Sequence, residues 1–265
     1  MNALRALLIL AFSAAAWTCP ACGTEQSDGI CSVCGLPQPP SGMVFVPASI
    51  VVVQGDTVEV GAFFIDSLPV AYRDVLPWLG QNCRDGQVLA SVITGQYSES
   101  GHFLAFTPFV ATATSEYSVP AVCLDRPAAA FTWTGAQWYL SSRGTRLPTL
   151  AEIHAAAQHG LIQPFNAFNE MQLYANLMET SLGDILGALG RQAMFAGYST
   201  EEERVMWELT HTPLGGDPSI AMPEADDPCV MIFKPLPVPL VTGTGRDMGY
   251  FNVIFRGAID LPGFE

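Results

Sequence analysis

Residues 146–153 constrain the fold of this chain most, because they carry a complete set of helix-start signals. Thr149 can accept a hydrogen bond from the first N–H groups of a helix, and Glu152 can return one to close a capping box. An apolar stripe at helical spacing follows and ends at Gly160. The sequence therefore predicts an amphipathic helix that begins directly after Thr149.

Several other segments accompany this helix start in a fixed order along the chain. They read G-M-V-F-V-P at 42–47, V-E-V-G-A-F-F-I-D at 58–66, P-A-A-A-F-T-W at 127–133, V-M-W-E-L-T at 205–210 and I-F-R at 254–256. Together with R-L-P-T-L-A-E-I at 146–153, they resemble the ordered motifs of the formylglycine-generating-enzyme family, also called the sulfatase-modifying-factor family.

The resemblance implies an α+β fold, a C-type-lectin-like scaffold with irregular loops, over residues 42–265. It also marks a set of motif positions, to which we assign structural roles. These are Arg146, Pro148, Thr149, Glu152, Trp207, Glu208, Phe255 and Arg256.

The chain departs from the family where the chemistry should be. Active members carry a cysteine pair that binds copper and engages the substrate, but residues 230–255 contain no cysteine, and Cys229 precedes them. No other side chain there supplies the soft, nucleophilic thiolate. We therefore expect no copper and no formylglycine synthesis. A family calcium site is also in doubt, because Val205 replaces an asparagine ligand.

The sequence is compatible with two functional classes. The first is a non-catalytic binding protein with an unknown protein or small-molecule ligand. The second is a metal-dependent oxidase of the wider family that uses non-cysteine ligands, for example His102 or His211 with Glu208. His154 and His159 are five apart on one predicted helix, which is poor spacing for a shared metal.

The charge of the chain excludes one class of partner. The net charge is −14, with 25 acidic against 11 basic residues, and Lys234 is the only lysine. Such a surface repels a phosphate backbone, so we expect no nucleic-acid partner.

Residues 1–16 predict a cleaved export signal. Arg5 gives the positive start, residues 6–12 an apolar run, and residues 14–16 an A-x-A cleavage site. We therefore expect a periplasmic, cell-envelope or secreted protein; the competing interpretation is a buried N-terminal helix. The apolar run is too short for a comfortable membrane span, and we expect no transmembrane segment. Lipidation of Cys19 is a further alternative.

Two C-x-x-C-G motifs follow within residues 17–35 and predict a small zinc ribbon. Their cysteines can surround one tetrahedral zinc ion, and each glycine permits the tight turn behind them. The competing interpretation is two disulfides, because an exported chain meets an oxidising compartment. Lipidation of Cys19 would remove one ligand. The proposed zinc ligands are Cys19, Cys22, Cys31 and Cys34, and the proline-rich residues 36–41 predict a stiff linker.

The remaining pattern predicts short strands and few helices. Strands are expected at 43–46, 50–53 and 57–60, and helices at 70–79, 134–141 and 169–189. Pro77 should kink or end the first of these helices. Cys83, Cys123 and Cys229 can form at most one disulfide, with one cysteine left over.

Overall fold

The computed structural model describes residues 16–83, 89, 91–93, 95–97, 103–105, 110–111, 117–119, 121–162, 206–213, 229–234, 240–245, 253–261 and 263–264. Several predictions fall outside these residues. They are the export signal apart from Ala16, the helix at 169–189, His102, Val205 and the side chain of Cys229.

The described residues form a mixed α and β structure with few helices and small sheets. The strands are β1 (Trp17–Thr18), β2 (Glu25–Gln26), β3 (Met43–Val46), β4 (Ser49–Val53), β5 (Asp56–Val60), β6 (Phe63–Asp66), β7 (Gly95–Tyr97), β8 (Phe103–Ala105), β9 (Val110–Ala111), β10 (Tyr117–Ser118), β11 (Trp207–Pro213), β12 (Cys229–Lys234), β13 (Leu240–Gly245), β14 (Val253–Ile254) and β15 (Ala258–Asp260). The helices are α1 (Tyr72–Asn82), α2 (Trp133–Ser142) and α3 (Leu150–Gln158), with a 3-10 turn at Ala121–Cys123.

A three-stranded antiparallel sheet in the order β15-β6-β3 connects the two ends of the described fold. All four residues of its central strand, β6, are buried. Because successive side chains point to opposite faces, Phe63 and Ile65 pack on one side and Phe64 on the other. Both faces are therefore covered, which explains why F-F-I-D does not alternate between apolar and polar residues.

Helix α3 and the β4–β5 hairpin cover the Phe63 and Ile65 face. The predicted capping box forms at the start of this helix. The Thr149 hydroxyl accepts from the N–H of Glu152 at 3.2 Å, and the Glu152 carboxylate accepts from the N–H of Thr149 at 2.7 Å. The predicted helix start is thus confirmed.

Helices α1 and α2 pack with strand β11 in a second core that also contains Phe131 and Phe255. The helix predicted at 70–79 is observed as Tyr72–Asn82, so Pro77 does not end it. Val75 before the proline and Trp78 and Leu79 after it are buried in this core. Their burial stabilises the helix beyond the hydrogen bond that proline removes.

The other sheets are antiparallel apart from one pairing. Strands β7 to β10 form a meander, and β13-β12-β11-β14 form a four-stranded sheet in which β14 runs parallel to β11. None of the described helices is long and apolar enough to span a bilayer.

Candidate metal centre and polar cleft

The two cysteine motifs fold into backbone turns of the same design. In the first, the N–H of Gly23 donates to the carbonyl of Cys19; in the second, the N–H of Gly35 donates to that of Cys31. Both glycines have positive φ, +74° and +78°, a conformation that side chains disfavour. The glycine in each motif is therefore required by the turn that brings its two cysteines together.

These turns bring the four predicted ligands into one cluster. All four sulfur atoms lie within 4.8 Å of one another, and the Cys19–Cys34 and Cys22–Cys31 sulfur pairs are each 3.5 Å apart. Zinc–sulfur bonds of about 2.3 Å in a tetrahedron place the sulfurs about 3.8 Å apart. The cluster therefore fits a tetrahedral ion of zinc size with little adjustment.

The electrostatics of the thiols also favour a cation. Hydrogen bonding to Thr24 lowers the pKa of Cys31 to about 5 and lowers the pKa of Cys22 as well. The backbone N–H of Leu36 lowers the pKa of Cys34, but burial and the neighbouring thiols outweigh it and raise that pKa to about 12. Four thiolates this close repel one another, and a divalent cation removes that repulsion.

The ribbon packs on the body of the protein. Cys19, Cys31 and Leu36 share a buried cluster with Met43 and Phe64, on the face of the three-stranded sheet opposite α3. The predicted linker takes part in this packing, because Leu36 is fully buried. The division into ribbon, linker and main domain stays a prediction, but the ribbon and the sheet share one apolar interface.

The R-L-P-T motif forms an ion-pair network at the start of α3. The Arg146 guanidinium donates to both oxygens of Glu152, at 2.7 and 2.6 Å, and also pairs with Asp260 on β15. Although burial favours the neutral form, these hydrogen bonds raise the pKa of Arg146. The Pro148 carbonyl accepts from the N–H of His211, which joins the motif to β11.

A second ion pair lies completely inside the fold. Arg256 and Glu208 are both 0% exposed, and the guanidinium donates to both carboxylate oxygens of Glu208. Arg256 also donates to the carbonyls of Asp66 and Ser67, at 3.3 and 2.7 Å. Glu208 lies on strand β11, so the pair joins this strand to the chain that follows β6.

The remaining motif positions belong to the apolar core. Trp207 and Phe255 are buried beside α1 and α2, and the Phe255 ring lies 5.1 Å from that of Phe131. The motif positions are thus not brought into one site: some hold the start of α3, some form the buried ion pair, and some pack in the core.

A polar cleft of about 590 Å³ opens next to the buried pair. Asp66 and Arg143 meet in it at 3.4 Å, and the Arg143 guanidinium lies over the Tyr139 ring, 5.7 Å from its centroid. Burial raises the pKa of Asp66, and the charge of Arg143 opposes that shift. The cleft is further lined by Ser41, Gly42, Ser67, Leu68, Pro69, Val70, Ala71, Asp74, Asp125 and Pro127.

Sequence reasoning missed this cleft, because its walls come from four separate stretches of the chain. None of the described histidines, at 154, 159 and 211, lines it. His154 is partly buried, which lowers its pKa, and the His211 ring stacks on that of Trp133 at 5.5 Å. Among the described residues, the four cysteines are the only cluster of three or more side chains with metal-binding spacing.

No protein-family model matches the chain, and no curated protein matches it. Among solved structures, that of PvdO from Pseudomonas aeruginosa is similar, with a TM-score of 0.46 and 14% sequence identity. The match covers 83% of this chain and 94% of that chain. A likeness of this size assigns neither a family nor an activity, so the function has to follow from the residues.

Proposed function

We propose that this chain is an exported, non-catalytic binding protein on a scaffold like that of the formylglycine-generating enzymes. One observation carries the proposal: both oxygens of Glu152 and both oxygens of Glu208 accept hydrogen bonds from arginines of the same chain. These side chains hold the fold together, and a metal or a substrate that ligated them would compete with their ion pairs. The alternative oxidase with Glu208 as a metal ligand is disfavoured for the same reason.

The missing thiol pair supports the same conclusion. Residues 230–255 contain no cysteine, and their described parts include the paired strands β12 and β13. Serine, threonine and backbone oxygens are hard ligands that do not replace two thiolates on copper. A scaffold without its nucleophiles can still present a concave surface, and binding is the function that remains.

We place the binding surface at the cleft that Asp66 and Arg143 line. Its volume lies within the range of about 300–1,000 Å³ that is usual for small-molecule sites. It combines charged groups of both signs with an aromatic ring and the exposed Leu68 at its mouth. This lining suits a small polar molecule that carries charge and a short apolar part.

The ribbon has a structural role in this proposal. Zinc in the four-cysteine cluster would fix the ribbon over Phe64 and complete the apolar interface with the sheet. Native intact-mass measurement of the purified protein tests this part together with export. We expect a chain that begins at Trp17 and carries one zinc. A lipid on Cys19, an uncleaved start or two metal-free disulfides would each contradict it.

A turnover assay tests the absence of catalysis. The mature protein is incubated with copper, oxygen and a cysteine-containing sulfatase peptide, and the peptide mass is expected to stay unchanged. Aldehyde formation that disappears in Cys229→Ser would overturn both the alignment and the non-catalytic proposal.

A blocking variant tests the cleft. Amino acids, polyamines and monosaccharides are screened for an increase in the unfolding temperature of the wild-type protein. Leu68→Arg fills the mouth of the cleft and should abolish any shift. Ile50→Arg is the matched control, because Ile50 is similarly exposed, at 61% against 69%, but lies on the β4–β5 hairpin. A shift that survives Leu68→Arg, or no shift with any compound, would contradict binding at this cleft.

A further inference from the structure

The cysteine cluster has a polar outer layer that joins its two turns. The side chain of Gln26 is buried, and its Oε1 accepts from both the backbone N–H and the hydroxyl of Ser32, at 3.1 Å each. Its Nε2 donates to the Thr24 hydroxyl at 2.8 Å. That hydroxyl lies 3.0 Å from the sulfur of Cys22 and 3.5 Å from that of Cys31.

One fixed donor, the backbone N–H of Ser32, determines the direction of each hydrogen bond from Ser32 through Gln26 to Thr24. A backbone N–H can only donate, so the Gln26 atom facing Ser32 is the carbonyl oxygen. The amide nitrogen must then face Thr24, and it donates to the hydroxyl oxygen. The hydroxyl hydrogen therefore points away from Gln26, and the acceptors within reach are the sulfurs of Cys22 and Cys31. This series of hydrogen bonds therefore connects Ser32 in the second turn to Cys22, a proposed ligand in the first turn.

We propose that Thr24 and Gln26 are positioning residues of the metal centre: Thr24 donates a hydrogen bond to a sulfur ligand, and Gln26 holds the hydroxyl in that orientation. The inference rests on the proposed metal centre and goes beyond its four ligands. A metal-bound thiolate is an acceptor only, so the donor matches it. Such outer contacts fix the ligand and tune its charge, and their loss commonly lowers metal affinity about 10–100-fold.

The two cysteine turns differ in the residues that could form these hydrogen bonds. The residue after the glycine is Thr24 in the first turn and Leu36 in the second, where it is fully buried beside Phe64. The residue after the first cysteine is Pro20 in one and Ser32 in the other, and proline has no N–H to donate. Of the two turns, only the first therefore has a hydroxyl after its glycine, and only the second has an N–H after its first cysteine that can bind Gln26.

Metal titration of the mature protein tests the proposal. Zinc affinity is measured by competition with a coloured chelator, and cobalt is used as the spectroscopic probe. Thr24→Val keeps the shape but removes the donor, so zinc affinity should fall about 10–100-fold. The sulfur-to-cobalt charge-transfer band should shift, because the sulfur loses a hydrogen bond. Thr24→Ser should restore both values, which a purely steric role does not predict.

Further variants separate positioning from general damage to the ribbon. Gln26→Leu should weaken zinc binding as well. The double variant with Thr24→Val should lose less zinc-binding free energy than the sum of the two single losses, because both residues act through one series of hydrogen bonds. Thr18→Val and Gln38→Leu are controls at exposed sites on the same segment and should leave affinity and spectrum unchanged.

Two outcomes would overturn the proposal in distinguishable ways. Thr24→Val with wild-type affinity and an unshifted cobalt band would show that the hydroxyl does not act on the sulfur, while the metal centre itself stands. A wild-type protein that binds neither zinc nor cobalt would remove the metal centre and, with it, the role of both residues.

Discussion

The ribbon, residues 17–35, and the sheet on which it lies bury their residues by different means. Among the described residues, the ribbon contributes Cys19 and Cys31 to the buried apolar core and the linker adds Leu36, while strand β6 alone contributes Phe63, Phe64 and Ile65. A segment with so little apolar core cannot offset the entropy of ordering its chain. The comparison indicates that the ribbon depends on a link between its four cysteines, for which we propose zinc, whereas the body is held by burial and by its internal ion pairs.

The two regions nevertheless depend on each other. The ribbon covers Phe64, whose ring contacts Phe45 edge to face at 6.2 Å. Without the ribbon this face of the sheet would expose aromatic surface to water. Each of the following changes separates the contribution of metal from the contribution of packing.

Cys31→Ser should have the largest effect on the ribbon. Loss of one thiolate should release the metal, and with it much of the roughly 10–16 kcal/mol by which zinc stabilises such small modules. Metal content per chain measures this, and Val33→Ser is the control because Val33 is exposed between two ligands. One zinc per chain in Cys31→Ser would show that another set of ligands holds it.

Glu208→Ala should destabilise the body by about 3–5 kcal/mol, because it leaves the charge of Arg256 buried without its partner. The free energy of unfolding in urea measures the change, and zinc content should stay at the wild-type value. Adding Arg256→Met should recover part of the loss. A change in zinc content without loss of body stability would contradict the separation of the two regions.

Leu36→Ala tests the interface itself and should cost about 2 kcal/mol of apolar burial. If the ribbon and the sheet unfold together, this loss should lower the midpoint of the whole urea transition. If the ribbon unfolds separately, the transition should split, and chelation of zinc should remove only its first part.

Changes at the start of α3 should be no larger than this and confined to the body. Thr149→Ala removes one cap and should cost about 1 kcal/mol. Glu152→Ala should cost somewhat more, about 2 kcal/mol, because the same carboxylate also accepts from Arg146. The double variant should lose less than the sum, since both residues belong to one motif. Strict additivity would argue against a working capping box.

The features that the sequence predicted are made by residues close together in the chain, and the features that it missed are made by residues far apart in the chain. The start of α3 was predicted correctly because Thr149 and Glu152 are three residues apart and their hydrogen bonds are local. The cysteine cluster was likewise visible, since each turn is completed within five residues. In both cases the motif contains all the groups that its structure needs.

Features made by distant residues were not predictable in this way. Arg256 and Glu208 were recognised as motif positions, but their mutual pairing across 48 positions, with no exposure to water, has no local signal. The passage of α1 through Pro77 depends on core partners from other elements. The packing of the ribbon on Phe64 and the cleft at Arg143 are equally products of tertiary assembly.

The pairing of β6 with β15 also determines when the body can fold during synthesis. Asp66 leaves the ribosome long before Arg256, whose guanidinium binds the Asp66 carbonyl across 190 positions. Until residues 258–260 emerge, one edge of β6 has no partner, and an open strand edge can pair with other nascent chains. We therefore expect chains that stall before this point to depend on chaperones, and completed chains to close the sheet on their own.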